Sequence, residues 1–285
     1  MAKEVTAEQI EMLDEMVAKA RKAAAIIETY DQERVDHLCQ AVAAALYDLK
    51  VWAQLSDEAV DETGLGDKIT KRNKRNKLKL ILRDCLRTRS VGVIEEIPEK
   101  GLVKYGKPVG VIASLVPTTN PCLTPAGQII YAIKARDVII CSPHPRAKVV
   151  TNKCIDIIRE TLVREGAPAD IIQGIEQPSI SLTQELMKRC DLVIATGGRP
   201  MVKSAYSSGT PAYGSGAGNA TVIIDDTANT PERQKEAAQN TRISKTADFG
   251  SGCSCDGNLV IHASIYDQMV EALKAEGGYL ANEEE

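Results

Sequence analysis

The sequence has 285 residues, 44 % hydrophobic and 26 % charged, with a formal net charge of −4, enough for one large domain or two modest ones. That charge gives no broad cationic field, which argues against non-specific nucleic-acid or acidic-membrane binding as the main role. No run approaches the ~18 apolar residues a membrane span needs, and the opening MAKEVTAEQIEML lacks the unbroken apolar stretch of a secretory signal. Aromatic residues are only 4 %, so the core must be built from Ile, Val, Leu and Ala, which suits parallel strands buried under helices.

Residues 1 to about 90 read as helical. Thr6 and Gln9 have capping-box spacing. Ile10, Leu13, Val17, Ala20, Ala24 and Ile27 then recur at intervals of three and four, one apolar helix face. A second helix is expected from about Asp31, with Val35, Leu38, Val42, Ala45, Leu46 and Leu49 on its apolar side. The basic run Lys68 to Lys79 has two readings, a nucleic-acid patch or a solvated helix face. No aromatic residue interleaves with its charges to stack on a base, which favours the solvated face.

From about Gly101 the pattern becomes regular alternation. A strand region, Leu102 to Pro117, is followed by a helix from about Pro121 to Ala135. The strand Val138–Ser142 and a helix from Arg146 to Glu165 come next. A short strand from Ile171, a helix through Arg189 and the strand Asp191–Thr196 complete the series. Apolar strands separated by amphipathic helices imply parallel βαβ units and, with right-handed crossovers, a doubly wound sheet. After the Gly-rich PAYGSGAGNA, the strand Thr221–Asp225, a helix from Pro231 to Lys245, the strand Leu259–His262 and a helix from Ile265 look like the opening of a second α/β domain.

Four loops carry candidate chemistry. Thr196-Gly197-Gly198 lies between a strand and a helix, where glycines let a phosphate approach the backbone and a helix N-terminus attracts it; the alternative is a plain tight turn. Thr118-Thr119-Asn120-Pro121 also follows a strand. Pro121 favours an extended Asn120, whose amide could donate to an oxyanion; the alternative is an Asx turn. In Ser142-Pro-His-Pro-Arg-Ala147 two prolines stiffen a loop that places His144 and Arg146 at the same sheet edge, for a nucleotide or simply as a rigid connection. Finally, Cys253 sits among Gly and Ser in a loop, unlike a core thiol. Cys255 is too near it for a routine disulfide. Most of the eight cysteines lie inside apolar helical or strand patterns and read as buried thiols of a reducing cytoplasm. No paired CxxC spacing suggests a metal site.

Taken together and in order, GKPVGVIASLVPTTNP, SPHPRAK, ATGGRPMVKSAYSSGTPAYGSGAGNATVIID and SKTADFGSGCS resemble the CoA-acylating branch of the aldehyde dehydrogenase superfamily, as does Glu62-Thr63-Gly64. The resemblance implies an α/β fold. A helical N-terminal segment (residues 1–95) would pack on a doubly wound, Rossmann-like nucleotide-binding domain (96–220). The beginning of a second α/β catalytic domain (221–285) would follow. It implies Cys253 as nucleophile, Asn120 as oxyanion donor, and Thr118, His144, Arg146, Thr196, Gly197 and Gly198 at an NAD or NADP site, with coenzyme A as co-substrate. A small aldehyde, sulfoacetaldehyde or acetaldehyde, would be oxidised to the acyl-CoA. The text around Cys253 is nearer the sulfoacetaldehyde type, and Arg146 or Arg199 could pair with a sulfonate or with cofactor phosphates. In hydrolytic members a Glu-Leu-Gly-Gly element supplies a general base; here the corresponding residues are Gly216-Ala-Gly-Asn219, which favours transfer to CoA over hydrolysis. Members of the family are longer, so the chain is expected to be a truncated form, with a catalytically incomplete nucleotide-binding fragment as the alternative function. The full-length form is expected to be a cytoplasmic homo-oligomer that binds neither membrane nor nucleic acid.

Overall fold

The computed structural model describes residues 4–285. Helix α1 (Ala7–Ile27) begins at the expected capping box: the Thr6 hydroxyl accepts from the Gln9 N–H (3.3 Å), and Gln9 Oε1 accepts from the Thr6 N–H (3.1 Å). Its buried residues are Leu13, Ala20, Ala23 and Ile27. Helix α2 (Gln32–Tyr47) stops before Leu49 because Asp48 caps a new helix, α3 (Leu49–Thr63), accepting from Lys50 and Val51 N–H at 2.8 and 3.0 Å. Leu49 therefore leaves the apolar face expected of it and is exposed. A short helix α4 (Lys68–Asn73) and α5 (Arg75–Arg87) carry the basic run.

The expected strand region 102–117 is two strands. Pro108 has no N–H to donate and Gly110 has φ +122°, so the chain breaks between β2 (Leu102–Gly106) and β3 (Val111–Val116). Strand β2 instead pairs antiparallel with β1 (Gly92–Ile97), a strand not anticipated. Two carboxylates hold the start of β3: Asp137 Oδ1 accepts from Val109 and Gly110 N–H (2.6 and 2.8 Å), and Asp191 Oδ2 accepts from Val111 N–H (2.7 Å).

The remaining alternation is as expected, except that the Gly-rich stretch contains a strand, Ala212–Ser215, that was not anticipated. It comprises α6 (Leu123–Ala135), β4 (Val138–Pro143), α7 (Lys148–Arg164), β5 (Ile172–Gly174), α8 (Ile180–Arg189), β6 (Leu192–Thr196), α9 (Arg199–Tyr206) and β7 (Ala212–Ser215). All neighbours in the five-stranded sheet are parallel, in the order β5-β4-β3-β6-β7. Every residue of β3 and β4 is buried, as a sheet covered on both faces requires. The buried residues of α1, α2, α3, α5, α6, α7 and α8 join the sheet in one apolar core. The chain steps outward from β3 to β4 and β5, then crosses back to β6, so the order reverses between β3 and β6. Open α/β sheets bind ligands at the carboxyl edge of such a switch point.

This sheet and its helices form one compact unit, residues up to Gly64 and Lys71–Gly216. A second unit comprises Leu65–Thr70 and Ala217–Glu285. It contains β8 (Ala220–Ile224), α10 (Pro231–Thr246), β9 (Asp256–Ile261) and α11 (Tyr266–Ala275) around Ile224, Ala238, Ile265 and Met269. Strands β8 and β9 pair in parallel, and β9 starts at Asp256, ahead of the expected Leu259. No helix among the described residues is long and apolar enough to cross a membrane.

Candidate active site

In the first unit, the registers Val116↔Pro143 and Leu115↔Ala195 bring the ends of β3, β4 and β6 level. Thr118 and Asn120, His144 and Arg146, and Thr196, Gly197 and Gly198 thus share one sheet edge. Three helices start there, and their N-termini differ. Helix α7 is closed by Glu62, whose two carboxylate oxygens accept from Val149 and Val150 N–H at 2.9 and 2.8 Å. This explains the Glu62-Thr63-Gly64 element, since Gly64 ends α3 in the left-handed conformation (φ +67°). Helix α6 starts in a turn where Thr124 and Ala126 N–H bond the Asn120 and Cys122 carbonyls. Helix α9 starts at Gly198 without a side-chain cap. The Gly197 N–H is engaged by Ser215 O, and Pro200 has none, which leaves Gly198 and Arg199 to present N–H groups to an anion.

The edge leaves its glycine turn uncrowded. A Cβ at Gly197 or Gly198 would meet nothing nearer than 3.5 Å in the protein, so the Cβ-free faces of both glycines leave room for a phosphate. Burial, and then the Arg146 charge, hold the His144 imidazole below its usual range, so it is neutral near pH 7. Its Nδ1 accepts from the Arg146 N–H (3.1 Å), which puts the ring proton on Nε2, a donor suited to a ribose hydroxyl. The Arg146 guanidinium donates to Thr63 O (2.7 Å) at the end of α3, so one of its donors is committed within the protein.

Asn120 sits in a turn held by two lysines. Lys71, buried, donates to Thr119 O (2.7 Å), and Lys74 donates to Asn120 Oδ1 (2.8 Å). The reading of the basic run as a solvated face therefore holds for Arg72, Lys77 and Lys79, which are exposed, and fails at Lys71. Lys71 and Leu78 are buried, Arg72 pairs with Asp57, and Arg75 donates to Tyr47 O while stacking on its ring. Composition showed only the charges; the β3–α6 turn that the two lysines grip is remote in sequence.

In the second unit, the approach to Cys253 has three successive left-handed residues, Asp248 (φ 54°), Phe249 (φ 53°) and Gly250 (φ 69°). Two of them are not glycine, a conformation that persists only where the surroundings impose it. The imposing contact is the buried Asp248 carboxylate, which accepts from Asp67 N–H (3.2 Å) and from the Ser251 hydroxyl (3.0 Å). It lies where a Cβ on Gly66 would fall, 1.7 Å away, so this contact needs glycine. Beyond the loop, Ser244 Oγ and Asp256 tie the end of α10 to the start of β9 (2.8 Å). Of the eight cysteines, Cys253 is exposed, Cys255 is intermediate and the other six are buried. Gly218 lies against the Cys253 loop: a Cβ there would stand 2.3 Å from Cys253 O. The stretch Gly216-Ala-Gly-Asn219 carries no carboxylate, and Asn219 packs on Gly257. Among the described residues no cluster of three or more His, Cys, Asp or Glu could hold a metal.

The first unit is thus a parallel α/β sheet with a glycine turn at its switch point, and the second carries an exposed thiol. Residues 2–280 match the model of the aldehyde dehydrogenase family, and the chain belongs to that family. It is 43 % identical over 276 residues to a sulfoacetaldehyde dehydrogenase of Acholeplasma, covering 96 % of this chain and 56 % of that protein. It is 39 % identical to an acylating sulfoacetaldehyde dehydrogenase of Bilophila wadsworthia, with 96 % and 58 % covered. The crystal structure of an acetylating aldehyde dehydrogenase from Geobacillus thermoglucosidasius superposes with a TM-score of 0.89 at 35 % identity, over 97 % of this chain and 61 % of that one. The chain thus spans 56–61 % of the length of these relatives.

Proposed function

We propose that this chain supplies the nucleotide-binding part (residues 96–220) and the cysteine nucleophile (in 221–285) of a CoA-acylating aldehyde dehydrogenase. Cys253 attacks a small aldehyde, sulfoacetaldehyde or acetaldehyde, through its sulfur and forms a thiohemiacetal. Asn120 donates its amide N–H to the new oxyanion. Thr118, His144, Thr196 and the Gly198 turn would hold oxidised NAD or NADP, which would supply the hydride acceptor. Loss of hydride leaves an acyl thioester on Cys253. The sulfur of coenzyme A then adds to that carbonyl, Cys253 departs as thiolate, and acyl-CoA is released. The carboxylate-free Gly216–Asn219 stretch leaves water without a general base, whose help is typically worth ~10²–10⁴-fold. A thiol acceptor needs less help, since its thiolate is a strong nucleophile.

The observation that carries this reading is the exposure of Cys253 in a strained Gly/Ser loop while six other thiols are buried. Those buried free thiols also support a cytoplasmic setting. The second reading is a catalytically incomplete nucleotide-binding fragment of such an enzyme. The parent enzyme is taken to be a homo-oligomer that binds neither membrane nor nucleic acid. The test is aldehyde- and CoA-dependent reduction of NAD(P). Cys253→Ser abolishes it and Cys255→Ser does not; equal loss in both variants removes the assignment. Nucleotide binding without turnover in the unmodified chain selects the second reading.

A further inference from the structure

The geometry points to Lys74 as a positioning residue that sets which way the Asn120 amide faces. This rests on the reading of Asn120 as the oxyanion donor. A carboxamide has one accepting and one donating end of nearly equal shape, and only the NH2 end can stabilise an oxyanion. An asparagine free to flip presents the wrong end part of the time. An ammonium group carries three donors and no acceptor, so whichever amide atom faces Lys74 must be oxygen. Lys74 Nζ lies 2.8 Å from Asn120 Oδ1. That contact turns the NH2 group away from the lysine, and the cation on the carbonyl oxygen also polarises the amide toward stronger donation.

The backbone is held by the neighbouring lysine. Lys71, three residues earlier and buried, donates to Thr119 O (2.7 Å), and Asn120 O accepts from Thr124 N–H (3.1 Å) at the start of α6. Backbone and side chain of the turn are thus fixed separately, by two residues of the basic run. Pro121 cannot donate and restricts Asn120 to extended conformations, so the turn supplies no backbone donor of its own at that residue.

Two measurements on the 285-residue chain test this. In the first, asparagine is labelled with ¹⁵N and the Asn120 side-chain signal is identified by its loss in Asn120→Asp. Lys74→Met should move that signal, while Lys74→Arg, which also only donates, and the exposed Lys77→Met should leave it near its original position. An unmoved signal in Lys74→Met overturns the proposal without reference to turnover. In the second, kcat is measured in a double-mutant cycle. Asn120→Ala should cost about 10²–10³-fold, the usual worth of one oxyanion donor. Lys74→Met should cost roughly tenfold in kcat with the KM for NAD(P) unchanged, Lys74→Arg should restore most of it, and Lys74→Met should cost nothing further in the Asn120→Ala background. Multiplicative losses mean that Lys74 acts independently of Asn120 and overturn the proposal. A normal kcat in Asn120→Ala removes the oxyanion reading itself, and the positioning role falls with it. Loss in Asn120→Ala but not in Lys74→Met removes the positioning role alone.

Discussion

Adding one methyl group at Gly218 should displace the loop that carries Cys253. The new Cβ would stand 2.3 Å from Cys253 O and 3.3 Å from Cys253 C, whereas ordinary contact begins near 3.4 Å. The obstacle is backbone, so no rotamer change relieves it, and the carbonyl must retreat by about 1 Å. Overpacking of this kind costs ~1–3 kcal/mol, and a ~1 Å misplacement of a reacting group costs on the order of 10²-fold in rate. Gly216→Ala is the comparator, because its Cβ would meet only Val202 Cγ2, at 4.0 Å. The assay is the rate constant for alkylation of Cys253 by iodoacetamide under native conditions, followed by peptide mass spectrometry, together with the urea midpoint. Gly218→Ala should shift both, the alkylation rate in either direction as the thiol leaves its seat, and Gly216→Ala neither. If the two variants match the unmodified chain equally well, Gly218 does not brace the loop and the account of why that stretch is small is wrong.

Variants at two further positions probe the frame. Glu62→Ala removes both acceptors at the N-terminus of α7 and should cost about 1–3 kcal/mol in urea unfolding, with Glu62→Gln losing roughly half as much; an unchanged midpoint would refute the cap. Burial pushes the Asp137 carboxyl up to about 6, against the two backbone N–H groups that bond it. An exposed aspartate titrates near ~3.9, so between those values the native state holds a proton that the unfolded chain has released. This group's contribution to stability therefore declines as pH rises through about 4 to 6. Asp137→Asn keeps an Oδ1 acceptor for Val109 and Gly110 and should abolish that decline, leaving the variant relatively more stable at pH 8 than at pH 4; parallel stability-versus-pH curves for the two proteins would contradict the shift.

Much of this molecule is written locally. Runs such as Val138–Ser142 have only one way to bury every side chain, as central parallel strands, and the loops that follow them necessarily fall at one edge. The candidate residues Thr118, Asn120, His144, Thr196, Gly197 and Gly198 could be found that way. What could not be read depends on partners far along the chain. Strand β1 contains Glu95 and Glu96 in place of a clean alternation, and it is a strand only because β2, cut free at Pro108, pairs with it. Lys71 and Lys74 look like any exposed basic helix until the Thr119–Asn120 turn packs over them. Glu62 shows its purpose only when α7, more than eighty residues later, starts against it. The left-handed pair Asp248–Phe249 has no signature, since neither residue type announces it; Gly66 is the counterpart that permits it.

The most direct test of acyl transfer through Cys253 is to trap the intermediate. The chain is incubated with aldehyde and NAD(P) but without coenzyme A, digested at mildly acidic pH, and its cysteine peptides are weighed. The account predicts one acyl adduct, on the peptide of Cys253, stable to water over minutes and discharged within seconds when coenzyme A is added. An adduct on Cys255 or on any buried cysteine, or one that hydrolyses as fast without coenzyme A as with it, contradicts the account.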